Sequence, residues 1–498
     1  MIIRKIILIV LISLPGTILP QVNTDKLISF PGAGANVPRI NKFELYQTVQ
    51  YLASKDLNGR LPGSNGYTKA ANYIAFQFKL LGLKSNIDNN YFQKLNVEYN
   101  EILAPEHFSI IKNGKTVQYK IGPDYVYRGF TGAGKLTAPV VFCGYGIDQP
   151  ELGYNDYSGI DVKDKAVMVF KYNPKWNLNG KPFINGNPRE KAIVASRHGA
   201  VGILFVSYPN DADPQKPIGS MINGKGEQML NFPELHIALN VASDIFEGTN
   251  HTLKELQTLI DSTRKPFSLS LNNKVDLEVH TNYQKEREVV NVIGILEGTD
   301  PVLKDSFLVL GAHLDHVGSQ AGKIYFPGAN DNASGSAALL QIARAFKESN
   351  IKPKCSIAFV FFASEEQGLN GSKYFISHLP YPVKHVSYML NFDCVGFGDS
   401  IQVFGGKSFP ELWHIVKQID DNNDKLLVSE TGEGGGADAE PFFRNGIKTL
   451  YFVSTNSYKH LHQLSDAPET INKELLAAIT KLGYKTAEYI SVMAPVPH

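Results

Sequence analysis

Several short stretches of the chain bring imidazole and carboxylate groups together: His313-Leu-Asp315-His316, Gly328-Ala-Asn-Asp331-Asn-Ala-Ser-Gly335, Ala363-Ser-Glu365-Glu366-Gln-Gly368, Asn391-Phe-Asp393-Cys-Val-Gly396 and His462-Gln-Leu-Ser-Asp466. A neutral imidazole is a good zinc ligand, so His313 and His462 are candidate donors. Asp315 suits a different task, accepting the other ring N–H of a ligating histidine and fixing its tautomer. Asp331, short and with two oxygens, can bridge two cations. Glu365 and Glu366 are adjacent in a turn and point differently, so one carboxylate can bind metal while its neighbour faces a water. Each stretch also has an ordinary reading. A His and an Asp beside a strand hydrogen-bond in many proteins, Asn332 or Ser334 caps a helix, and paired acids in a loop are commonly solvated. The set is more specific than its members. His313, Asp331, Glu366, Asp393 and His462 suit a pair of zinc ions with about four ligands each, if one carboxylate is shared.

The elements that must position these groups follow from hydrophobic periodicity. Beyond Val289 apolar strands alternate with amphipathic helices: strands over 289–295, 307–312, 356–363, 388–392, 400–404 and 449–453, helices over 334–348, 368–379, 409–421 and 472–493. Such alternation predicts an α/β fold, a mixed, mostly parallel sheet with helices on both faces. Parallel sheets bind ligands at the carboxyl ends of their strands. The candidate residues fall just past those ends or at a following helix start, and so converge. Upstream, 43–53 and 67–81 carry helical spacing and need a larger body to pack on. From about 101 to 279 the texture changes to short β-branched runs broken by Gly, Pro, Asn and Asp, with one or two helices, one of them over 189–198.

Composition narrows the function. With 43% apolar and 19% charged residues in 498 the chain is globular and long enough for more than one domain. Its net charge of +1, without long runs of either sign, gives no footprint for nucleic acid or an acidic membrane surface. Arg4 and Lys5 precede the apolar run Ile6 to Leu14, with Pro15, Gly16 and Pro20 after it, a secretory signal pattern over 1–20. The run is shorter than the roughly twenty residues that span a bilayer, so no stable membrane insertion is expected once the signal is removed. Cys143, Cys355 and Cys394 sit in apolar contexts and read as buried free thiols rather than as a disulfide framework.

The order HLDHVG, GANDNASG, ASEEQG, NFDCVG and HQLSD resembles the M28 family of zinc peptidases. LNGRLPGS and the helix through Ala70, Ala71 and Ile74 are similar to that family's amino-terminal helices. VVFCGYGI, YNDYSGIDVKDKAVMVF and SRHGAVGILFV resemble the protease-associated (PA) domain often inserted in it. The resemblance implies a peptidase domain begun by 21–100 and completed by 285–498, with a β-rich PA-like insertion over 101–284. It implies two zinc ions per chain, His313 and Asp393 on one, Glu366 and His462 on the other, and Asp331 bridging. Glu365 would be the general base and Asp315 the partner of His313, in a secreted or periplasmic enzyme acting on peptide substrates as an aminopeptidase. The chain departs from the family pattern twice. Ala437-Asp438-Ala439-Glu440-Pro441-Phe442 stands where Ser-Asp-His often precedes Pro-Phe, and Leu461 precedes the last histidine where some members have an oxyanion-binding Tyr. Tyr458 or His460 could supply that donor, Tyr458 being preferred. Three alternatives remain. A glutaminyl cyclase-like enzyme would use one metal. A binding protein on a dead scaffold would have lost ligands or the base, all of which are filled here. A glutamate carboxypeptidase-like enzyme would add a helical dimerisation domain after the peptidase. No oligomeric state follows from the sequence.

Overall fold

The segment SIAFVFF holds no polar residue after Ser356, the pattern of a strand buried on both faces, and every residue of strand Ser356–Phe362 is buried. Its side chains divide by the two-residue period. Phe362 packs with Phe375 and Phe442 at ring distances of 5.9 and 6.1 Å. Phe359 and Phe361 meet Phe346 and Phe78 on the opposite face, at 6.3 and 5.7 Å. Two apolar layers are therefore built against one sheet. The computed structural model describes residues 40–493, apart from 86–89, 185, 381, 384 and 456–457. The expected signal over 1–20 lies outside the described residues.

The centre of the sheet is parallel: Ser306–His313 lies between Ser356–Phe362 and His385–Phe392, and Lys448–Ser454 follows beyond the latter. Ile401–Phe404 closes that edge antiparallel. Helices Lys42–Leu52, Gly335–Glu348 and Lys473–Met493 pack together on one face, and Asn370–Ser377 and Ala439–Arg444 lie together on the other. Helix starts follow local chemistry. Asn41 accepts the N–H groups of Phe43 and Glu44, and Ser64 accepts that of Tyr67 at the start of Asn65–Leu80.

Two strands much longer than the run over 289–295 predicts carry this sheet onward. Phe92–Lys112 and Ser268–Leu296 pair antiparallel from Phe92↔Val292 to Ile111↔Lys274, with irregularities between Val97 and Tyr99 and between Leu103 and His107. The near half of the second strand pairs with Ser356–Phe362. Its far half pairs with Gly134–Cys143, which leads through parallel Ala166–Phe170, Gly202–Val206 and Glu234–Ile237 to antiparallel Tyr125–Tyr127. One sheet thus runs through both halves of the molecule, and positions 101 and 285 fall inside the paired strands. Among its described residues this region holds three α-helices, Pro188–Arg197, Leu239–Phe246 and Leu253–Thr263, where the sequence texture predicted one or two. The last two are 8 and 11 residues long, too short for their periodicity to stand out. The three cysteines are free. Among the described residues no helix is long and apolar enough to cross a membrane.

Candidate metal centre

At the carboxyl ends of the parallel strands the chain brings His313, Asp331, Glu366, Asp393 and His462 together. His313 ends its strand, and its Nε2 lies 3.3 Å from an oxygen of Asp393 and 3.3 Å from Oδ1 of Asp331. The other oxygen of Asp331 lies 3.2 Å from Nε2 of His462, which is also 2.9 Å from Glu366. Asp331 therefore stands between two imidazole–carboxylate pairs with one oxygen toward each. Ligands held tetrahedrally at about 2.0–2.1 Å from one ion stand about 3.3 Å apart, close to the spacing of His313 from Asp393 and of Asp331 from both imidazoles, while His462 and Glu366 stand nearer, at 2.9 Å. Among the described residues no Lys or Arg lies within ion-pair distance of Asp331, Glu366 or Asp393. Buried carboxylates this close need positive charge. The donor set fits two divalent cations.

Protons take that role in part when cations do not. Burial alone would lower His313 and His462. Asp393, Asp315 and Asp331 outweigh it for His313, as Glu366 and Asp331 do for His462, and both imidazoles are held well above the ordinary range. Glu365 behaves differently. Among the described residues it forms no ion pair; burial, with the nearby charges of Glu366, Asp393 and Asp438 and against the pull of His313, pushes its carboxyl well above the usual carboxylate range. A carboxylate poised to take a proton, beside metal ligands and lining the cleft, is what a general base requires.

The supporting contacts were only partly legible. Asp315 is fully buried, but its oxygens accept the backbone N–H groups of Glu365 and Glu366 at 3.2 and 3.3 Å. The Nδ1 of His313 lies 3.7 Å from that carboxylate and 3.2 Å from the Asp315 carbonyl. The aspartate thus fixes the turn that carries both glutamates as well as facing His313. His316, adjacent in the same motif, was not singled out. Its Nδ1 lies 3.1 Å from Glu366 and 3.7 Å from Asp331, and its Nε2 has no hydrogen-bond partner. A second imidazole three residues after His313 was the available signal.

Three further groups went unassigned. Asp466 accepts the N–H groups of Asn330 and Asp331 at 2.7 and 3.1 Å, and burial pushes its carboxyl up to about 6. Arg60, fully buried, donates to the carbonyls of Leu52, Leu314, Pro327 and Gly328, tying the amino-terminal helices to the His313 and Asp331 loops. Asp438 is buried near Ser372, and burial pushes it up to about 7. The hydroxyl of Tyr458 donates to Asp466, and the ring of His460 engages Ser465 at 2.8 Å. Tyr458 therefore faces the support of Asp331, and Leu461 is 40% exposed beside it.

The family model for peptidase family M28 matches residues 291–487. A probable leucine aminopeptidase of Trichophyton verrucosum is 31% identical over 293 residues, 57% of this chain and 75% of that protein. An aminopeptidase of Bacillus subtilis is 28% identical over 448 residues, 86% of this chain and 81% of that one. Among solved structures, a zinc aminopeptidase from Bacillus subtilis superposes with a TM-score of 0.62 at 20% identity, covering 92% of this chain and 97% of that chain, a likeness of fold. The chain spans 22% of the length of a leupeptin-inactivating enzyme of Streptomyces exfoliatus and 66% of an aminopeptidase of Pseudomonas aeruginosa. The chain belongs to peptidase family M28.

Proposed function

We propose that this protein is an exported two-zinc aminopeptidase that removes amino-terminal residues from peptides, with 1–20 as its signal and 101–284 as a PA-like insertion. The observation that carries the reading is the position of Asp331, one oxygen toward His313 and the other toward His462. His313 and Asp393 would hold one zinc ion, Glu366 and His462 the other, with Asp331 shared. Two zinc ions there would acidify a water and polarise the scissile carbonyl. Glu365, raised by burial and its acidic neighbours, takes a proton from the attacking water and returns it to the leaving amine. Asp315 holds Glu365 to that task through its backbone N–H. The aminopeptidase assignment is supported by the names of the relatives that align over most of this chain.

The test combines metal analysis with leucine p-nitroanilide hydrolysis. About two zinc ions per chain, activity abolished by chelation, and a fall of roughly a hundredfold or more in Glu365→Gln at unchanged zinc content are expected. One zinc ion in a fully active preparation, or near-parent turnover by a fully metallated Glu365→Gln, would overturn the reading.

A further inference from the structure

The cleft beside the candidate metal centre has a volume of about 400 Å³ and two unlike walls. Glu365, Glu366 and His462 form one, and Arg128, Phe130 and Tyr172 form the other. Arg128 follows strand Tyr125–Tyr127, in the half of the sheet farther from the metal centre. Its guanidinium stacks over Phe130 at 5.5 Å, and one terminal nitrogen donates to the Ile218 carbonyl at 3.2 Å. Its Nε has no partner, the residue is 5% exposed, and among the described residues no carboxylate lies within ion-pair distance. Lys171, 1% exposed, donates to Gln215 at 2.6 Å and lies 4.8 Å from the ring of Tyr172, and burial together with Arg128 holds its ammonium well below the ordinary lysine range. The nearby acid, Glu234, is fully buried with neither oxygen hydrogen-bonded, and burial, against the pull of Arg128 and Arg189, raises its carboxyl well above the usual range. His236, also buried there, is pushed well below the ordinary imidazole range by burial, with Lys171 and Arg128 acting the same way. Among the described residues, the Arg128 guanidinium is therefore left without a carboxylate in this wall. Buried guanidinium with free donor capacity at the edge of a cleft calls for an anion, and carboxylate matches its fork.

We propose that Arg128 is an anion-binding group that holds a carboxylate of the peptide substrate, so that peptides carrying one next to the scissile bond are preferred. The inference rests on the peptidase reading of the same cleft. The carboxylate can be the free carboxyl terminus of a dipeptide or an acidic side chain in the residue after the cleaved bond; the chemistry is shared. Segment 218–221, which carries the Ile218 carbonyl, is fixed to the metal side by the Gly219 N–H, which donates to the His462 carbonyl at 2.8 Å. The two walls are thus tied at one point, and the span between anion site and metal site is set by the fold.

The zinc-loaded full chain is assayed on two substrate pairs, Leu-Gly against Leu-Gly-amide and Leu-Glu-amide against Leu-Gln-amide. The KM of the charged member should be about tenfold to a hundredfold lower in at least one pair, and which pair shows it identifies the source. Arg128→Gln should collapse that preference and Arg128→Lys should keep part of it, with thermal midpoints reporting the fold of each. Binding of the reduced-bond dipeptide Leu-ψ(CH2NH)-Gly and of its amide, measured by calorimetry on the parent, needs no hydrolysis. A preference for the free acid without turnover would sink the peptidase reading and keep the anion site. Equal binding of the two together with equal KM within both pairs, or a preference intact in Arg128→Gln, would overturn it.

Discussion

Asp315→Asn separates two jobs that one carboxylate performs. Both oxygens of Asp315 accept backbone N–H groups, from Glu365 at 3.2 Å and Glu366 at 3.3 Å, in a fully buried position. An amide of the same shape has one oxygen, so one of the two N–H groups would face an NH2. Leaving a buried donor unpaired costs about 1–3 kcal/mol, and the turn relieves it by moving. That turn carries Glu365, and a shift of about 1 Å in a catalytic group costs roughly a hundredfold in rate. The expected outcome is a fall of about that size in turnover of leucine p-nitroanilide, a thermal midpoint lowered by a few degrees, and zinc content near that of the parent. The double variant Asp315→Asn/Glu365→Gln should be no slower than Glu365→Gln alone, since both remove the same proton transfer. Turnover restored to the parent level by excess zinc would refute the reasoning and leave Asp315 as no more than an orienter of His313.

Two other outcomes follow from the same geometry. Because acidic neighbours raise His313 and His462 above their ordinary range, the metal-free protein carries protons there near neutral pH that zinc must displace; these are held below the raised values and lost above them. Calorimetric zinc titration should give heats that vary with the ionisation enthalpy of the buffer, and buffer-independent heats would contradict the assignment. Gly335 opens helix Gly335–Glu348 so tightly that an added Cβ would lie 2.2 Å from the Phe392 carbonyl. Gly335→Ala should cost about 1–3 kcal/mol in denaturant unfolding and loosen zinc at the neighbouring Asp393, whereas an unchanged midpoint and zinc content would show that the helix start moves freely.

The catalytic half of the sheet was legible because its strands are short, buried on both faces and separated by amphipathic helices, so that apolar runs and their ends stand out. The candidate residues then came together because each sits at such an end. The long ladder was not legible. Ser268–Leu296 alternates polar and apolar residues over much of its length and changes neighbours midway, so no single pattern spans it. Support for the site was hidden for another reason. Asp315 and Arg60 act on backbone N–H and carbonyl groups, which every residue offers, and no spacing reveals which will be met. Arg128 was silent in the sequence because its meaning lies in what it lacks, a partner, and in a cleft that only the fold creates.

The ladder between Phe92–Lys112 and Ser268–Leu296 also governs stiffness. The cleft's metal-side wall and its Arg128 wall hang on one sheet, joined where residues 280–291 of Ser268–Leu296 pair with Phe92–Lys112 alone. Opening the gap means bending a β-ladder, which local irregularities at Val97/Tyr99 and Leu103/His107 permit only as a change of twist. On the proposed aminopeptidase reading, admission is then a matter of gauge, a slot whose width the twist of this ladder sets. Solution scattering that stays the same with and without an active-site inhibitor is the signature of such a slot, and a compaction on binding would speak for a hinge.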